Sequence, residues 1–170
     1  MSLQSITQQN TQNKIRPMVY SIHVVSCSKE DKDSVVLAYY FRGSRGNPQE
    51  DLFEEKISRS TRPYWRRAST PLSLVIAQRC VLIHDCGIDG TVLLSGDEDE
   101  DELTLQSALP ALERTLAAVC EQDLNRLEAR QILAFHGKVV LCLNEAYPLG
   151  VRRLTNADAV VKAAKLKAFS

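Results

Sequence analysis

The chain has 170 residues, 44% hydrophobic and 25% charged, which bounds it to one globular domain with enough apolar residues for a real core. Lys plus Arg and Asp plus Glu each number 21, so the formal net charge is zero and the basic excess of a nucleic-acid binder is missing. No apolar run approaches the roughly eighteen residues that span a bilayer, and the N-terminus lacks the basic-then-apolar pattern of a signal peptide. The chain is therefore expected in the cytoplasm, with any membrane contact peripheral.

Met1 to Pro17 is rich in Gln, Ser, Thr and Asn and poor in apolar residues. Such a segment buries too little surface to repay the entropy of ordering, so it reads as a disordered polar tail ahead of a domain over 18–168. Met18 to Ser26 (MVYSIHVVS) and Ser34 to Phe41 (SVVLAYYF) are β-branched and aromatic, and read as two strands of a hairpin. His23 within the first reads as a packed residue rather than a ligand. After the loop GSRGNP, the spacing predicts a helix from Gln49 to about Arg62, with Leu52, Phe53 and Ile57 toward the core and Pro63 as its stop. Arg59, Arg62, Arg66 and Arg67 interleave with Tyr64 and Trp65. They read as a solvated helix end with Trp65 tucked in, or as a patch for an anionic lipid or acidic partner.

Pro71 to Arg79 opens a third strand, and no two-residue turn is signalled before Cys80. One long bent strand and two strands both remain open there. Val81 to Ile83 and Thr91 to Leu94 are strand runs, joined by a turn that Gly87 and Gly90 bracket. Asp97 to Glu102 are six consecutive carboxylates. They lack the spaced ligands and glycine of a calcium loop, and are better placed to favour the start of a following helix. Leu105, Leu109, Leu112, Leu116 and Val119 recur at spacings of four and three, which puts them on one helical face. Pro110 either lies in the first turn of a helix starting near Ser107 or kinks a longer one. Glu121 to Tyr147 is mostly helix-compatible, although KVVLCL alone reads as a strand. Asn156 is placed to cap a last helix over Ala157 to Lys167.

Chemistry-bearing motifs are absent: no phosphate-binding glycine loop, nucleophile elbow or zinc-protease pair occurs. Cys27, Cys80, Cys86, Cys120 and Cys142 are odd in number, with no CxxC pair, and read as reduced thiols. His84 and Cys86, two apart in a strand, share a face, which is the one arrangement here that a Cys–His nucleophile would need. The expected class is α+β: a five-stranded antiparallel sheet sandwiched by helices, with no catalytic residue, cofactor or metal.

Several stretches carry a resemblance. VVLAYYF is similar to a strand with an L-A-K-[WY]-Y pattern, without its Lys. FEEKISRST, DELTLQSALPAL, VCEQDL and RQILAFHGKVVLCLNE follow in the order of comparable stretches in one group. In that order the chain resembles longin-fold small subunits of vesicle coats: sigma subunits of clathrin adaptors, the zeta subunit of coatomer, and the sigma-like subunit of the TSET (TPLATE) complex. The resemblance covers about Met18 to Lys165 and makes KVVLCL helical. It implies a non-catalytic subunit of a heterotetrameric core, bound to a large helical-solenoid adaptin-type subunit and peripherally associated with coated vesicles, plasma membrane or Golgi. The alternative role for a longin domain is regulation of small GTPases, SNAREs or a tethering complex. By position, the cargo-peptide pocket of sigma subunits falls on Cys86, Ile88, Leu109, Val119 and Leu124. The family's arginine falls near Val35 or Val36 and its asparagine on Ala118. A cargo carboxylate would thus lose a charge-assisted partner of roughly 1.5–3 kcal/mol, and the same five residues double as core.

Overall fold

A computed structural model describes residues 19–29, 32–43, 47–151, 153 and 156–168. The tail expected over 1–17 lies outside them. The strands are β1 (Val19–Ser26), β2 (Ser34–Tyr40), β3 (Leu72–Ile76), β4 (Arg79–Cys86) and β5 (Gly90–Gly96). The helices are α1 (Pro48–Thr61), α2 (Glu102–Val119), α3 (Ala129–Ala134), α4 (His136–Ala146) and α5 (Ala157–Ala168). The strands form one sheet in the order β2-β1-β5-β4-β3, and every neighbouring pair is antiparallel. The class and sheet follow the sequence reading. Joining β1 to β5 sets the first hairpin beside the second and closes the domain through contacts distant in sequence.

Alternation along the strands feeds two cores. Val24, Leu82, Cys86, Val92 and Leu94 face α2–α5, while Val25, Val81, Ile83 and Leu93 face α1. Leu105, Leu109, Leu112, Leu116 and Val119 are all buried on α2 as their spacing demands. The helix nevertheless starts at Glu102 rather than near Ser107 and runs through Pro110, which lies on its exposed side. Leu52 was expected inward with Phe53 and Ile57 but is 58% exposed, because the two buried positions, four apart, already define the inner stripe. KVVLCL is helical within α4, and Asn156 caps α5 by accepting the Asp158 amide at 2.9 Å.

The β3–β4 connection is a two-residue turn at Ala77 and Gln78, with φ of 50° and 64°. Left-handed backbone costs a residue with a Cβ roughly 1–2 kcal/mol, and Asn-Gly or Asp-Gly is the usual signal for such a turn. Ala-Gln gave none, which is why the break stayed unreadable. Gly87 is required in its own turn: its φ is 64°, and a Cβ there would stand 2.0 Å from the Leu127 carbonyl oxygen.

The acidic run acts structurally. Asp97 pairs with Arg79 at 3.0 Å, Asp101 caps α2 by accepting the Thr104 amide at 2.8 Å, and Glu102 accepts from Ser73 of β3 at 2.8 Å. The basic-aromatic stretch is largely committed as well. Trp65 is half-buried and donates to Thr61 Oγ1 at 2.9 Å, and Arg66 donates to the Gly90 carbonyl at 3.1 Å. Arg59 pairs with Glu55 at 2.5 Å, and Arg62 lies over the Trp65 ring and 3.8 Å from Asp33.

Candidate functional site

His84 and Cys86 do share the α2 face of β4, but the histidine is engaged elsewhere. Its Nδ1 lies 2.5 Å from Glu113 Oε1 on α2, and the Glu113 side chain is only 6% exposed. The hydrogen bond to that carboxylate, above all, raises the His84 pKa, and a bond to the Ser69 backbone adds to it. The His84 ring nitrogen nearest α2 is thus taken up by Glu113 rather than turned toward Cys86. Burial pushes the Cys86 thiol up to about 12, so at neutral pH it is not a thiolate nucleophile. The other histidine is buried on the opposite face. His23 meets Tyr40 Oη at 3.3 Å and Ser21 Oγ at 3.5 Å, and desolvation lowers its pKa to about 4. It is a neutral packed residue beside Tyr40 and Phe53.

Of the five residues carried over as a cargo pocket, Cys86, Leu109 and Val119 belong to the larger buried cluster, and Leu124 packs against it. Ile88 stands apart on the β4–β5 turn, 54% exposed. It borders a polar cavity of about 430 Å³, with Cys27, Arg66, Asp89, Glu128 and Arg130 among its walls. Those charges are partly spent on one another and on backbone: Arg66 on Gly90, Glu128 on Arg130, and Asp89 on the Ala129 amide at 2.8 Å. Val35 and Val36 lie on β2, and Ala118 lines a different concavity.

That concavity is an apolar groove of about 300 Å³ where the end of α2 meets α4 and α5. Val119, Cys142, Val161 and Ala164 line it, with Lys138 and Lys165 at the rim. The sequence reading missed it, though a signal existed. Val139 to Leu143 are five apolar residues in succession, so α4 carries apolar groups all round rather than on one stripe. Leu141, 43% exposed, is the side left over after packing.

The other exposed apolar feature is β3. It is an edge strand with no charged residue, where Leu72 is 37% and Val75 80% exposed. Among the described residues no group of three or more His, Cys, Asp or Glu is disposed to hold a metal, and no helix is long and apolar enough to cross a membrane. The ionisable side chains nearest to a constellation are thus held as internal pairs, and the unsatisfied surface is apolar. Compared with protein-family models and with curated proteins, the chain matches none.

Proposed function

We propose that the protein is a non-catalytic small subunit of a vesicle coat or endocytic adaptor complex, in the longin-type class of sigma and zeta subunits. In this reading it binds a large helical-solenoid subunit, helps to hold a heterotetrameric core together, and reaches membranes peripherally through that complex. The observation that carries the reading is the order of elements. Two strands, a helix, three strands and a long helix fold as a β2-β1-β5-β4-β3 sheet with α1 on one face and α2–α5 on the other. The stretches that resemble coat subunits follow one another along these same elements. The internal pairing of His84 with Glu113 and the protonated state of Cys86 support a role without chemistry.

The test is affinity purification of the tagged chain from native extract, with mass spectrometry of what accompanies it. A large helical-repeat coat or adaptor subunit is expected at near-stoichiometric amount. The chain expressed alone should be poorly soluble and should be rescued by co-expression with that subunit. Recovery of no coat or adaptor protein would overturn the reading. Stimulated nucleotide exchange on a small GTPase would move the protein to the regulator class, since a coat subunit is inert in that assay.

A further inference from the structure

The two edges of the sheet differ. On β2 the pairing with β1 is interrupted by a register shift at Val24/Val25, α3 lies against the strand, and Tyr40 is tied by its hydroxyl to the Glu50 carbonyl at 3.0 Å. A bulge and a covering element are two of the devices that blunt a sheet edge. β3 has neither. Its five residues pair with β4 in unbroken register from Leu72↔Ile83 to Ile76↔Arg79. It carries none of the lysines that discourage pairing, and Val75, its most exposed residue, is β-branched.

The register also says which backbone groups point outward. Ile76 and Arg79 flank a two-residue turn, so they form a hydrogen-bonded pair, and such pairs alternate along an antiparallel ladder. Leu72, Leu74 and Ile76 therefore bond to β4. Ser73 and Val75 turn their N–H and C=O groups outward, where among the described residues no backbone partner meets them.

We propose that this edge of β3 receives an extended segment of a partner protein, which adds a sixth strand and sets Lys or Arg beside the start of α2. Charge fixes the choice of occupant. The side of β3 that carries Ser73 and Val75 faces the carboxylates at the head of α2. Glu102 bonds to Ser73 at 2.8 Å, and both Glu102 and Asp101 act on Cys80, the cross-strand neighbour of Val75. A second copy paired about a twofold axis would bring its own acidic helix start onto the same side of the joined strands, like charge toward like. An incoming strand with alternating apolar residues and a basic flank meets both the edge and its field. The proposal does not rest on the coat-subunit reading, since a strand from any partner satisfies it.

The test uses the full chain and two synthetic peptides of alternating Val and Thr, one flanked by lysines and one by glutamates. Hydrogen exchange is read at the Ser73 and Val75 amides, and affinity by fluorescence anisotropy. Both amides should exchange fast in the chain alone and become protected by the lysine-flanked peptide, which should bind at least tenfold more tightly than its glutamate counterpart. Val75→Pro is the decisive variant. The Val75 N–H does not serve the β4 ladder, so proline there should leave the fold intact by circular dichroism and abolish binding. Val75→Lys, a second variant that keeps the backbone free, should weaken binding tenfold or more. Absence of protection with either peptide, equal affinity for the two flanks, or a sedimenting dimer that protects the same amides without peptide would each overturn the proposal.

Discussion

On one face of the sheet α1, joined by Ala68 and Trp65 from the segment after it, covers Val25, Val81, Ile83 and Leu93, with Phe53 and Ile57 as its inner stripe. On the other, α2–α5 cover a cluster that runs from Val19 to Ala164. Each face holds one histidine, His23 fully buried and His84 half-buried, and their pKa values move in opposite directions. The thin layer desolvates His23 without a charged partner and keeps it neutral. The thick layer supplies Glu113, whose hydrogen bond raises the His84 pKa. The difference teaches that the direction in which such a group shifts is set jointly by how deep it lies and by whether the covering element brings a hydrogen-bonding carboxylate.

The largest expected effect measures the two layers against each other. Leu112 is fully buried in the thick layer and Ile57 in the thin one. Truncation of such a residue to Ala costs about 2–5 kcal/mol, and the spread reflects how far the surroundings collapse into the space left. Leu112→Ala, locked among several helices, should fall at the upper end by urea denaturation. Ile57→Ala, under a single helix free to settle, should fall at the lower end. Equal costs would mean that the thin layer is as rigid as the thick one.

Next come the histidines, whose pH dependences have opposite signs. The pKa of His23 in the folded chain is about 4 against an ordinary 6.5. Below 6.5 the unfolded chain takes up a proton that the folded chain refuses. Stability should therefore fall by about 3 kcal/mol between pH 6.5 and 4 from this residue. His23→Gln should flatten that acid limb. His84 has its pKa raised, so its contribution is fully present below 6.5 and disappears as the pH climbs through the elevated folded value. Glu113→Gln should cost about 2 kcal/mol at mildly acid pH and less in alkali, and it should remove the alkaline slope. Chemical denaturation of the three proteins across pH decides it. A Glu113→Gln profile parallel to the wild type would break the contrast.

How far this contrast was legible differs between its parts. The thick layer was readable, because the α2 leucines keep strict helical spacing and need no partner to be recognised. The first helix was readable except for Leu52, whose outward direction depends on where α1 sits over the sheet. The α+β class and all-antiparallel sheet were expected, but whether β3 and β4 are one bent strand or two stayed open, since Ala77 and Gln78 adopt a turn their side chains do not favour. The His84–Glu113 pair joins residues 29 apart in sequence. Local pattern identifies neither partner, because a strand residue and a helix residue meet only once the sheet is built. The groove between α2, α4 and α5 escaped for the same reason, although the unbroken apolar run of α4 was visible. The cargo-pocket residues were placed by resemblance, and the fold gathers Cys86, Leu109, Val119 and Leu124 around one core while leaving Ile88 on an exposed turn.

The smallest effect sharpens the comparison at the helix starts. The helix of the thin layer, α1, is capped by the neutral side chain of Asn47, which accepts the Gln49 amide at 3.0 Å. The principal helix of the thick layer, α2, is capped by the Asp101 carboxylate, whose pKa is held below its ordinary 3.8 chiefly by the backbone hydrogen bond from Thr104. Asn47→Ala should destabilise by about 1 kcal/mol, equally at neutral and acid pH. Asp101→Ala should also destabilise at neutral pH, but its effect must shrink in acid. A group with a lowered pKa contributes above its unfolded value and loses that contribution as the pH falls through the folded one. Thermal melts of both variants at about pH 7 and about pH 3 separate the cases. A pH-invariant loss in Asp101→Ala would show that the hydroxyl or carbonyl geometry of the cap, rather than its charge at the head of α2, holds the helix start, and that the acidic run stabilises the thick layer no differently from an amide.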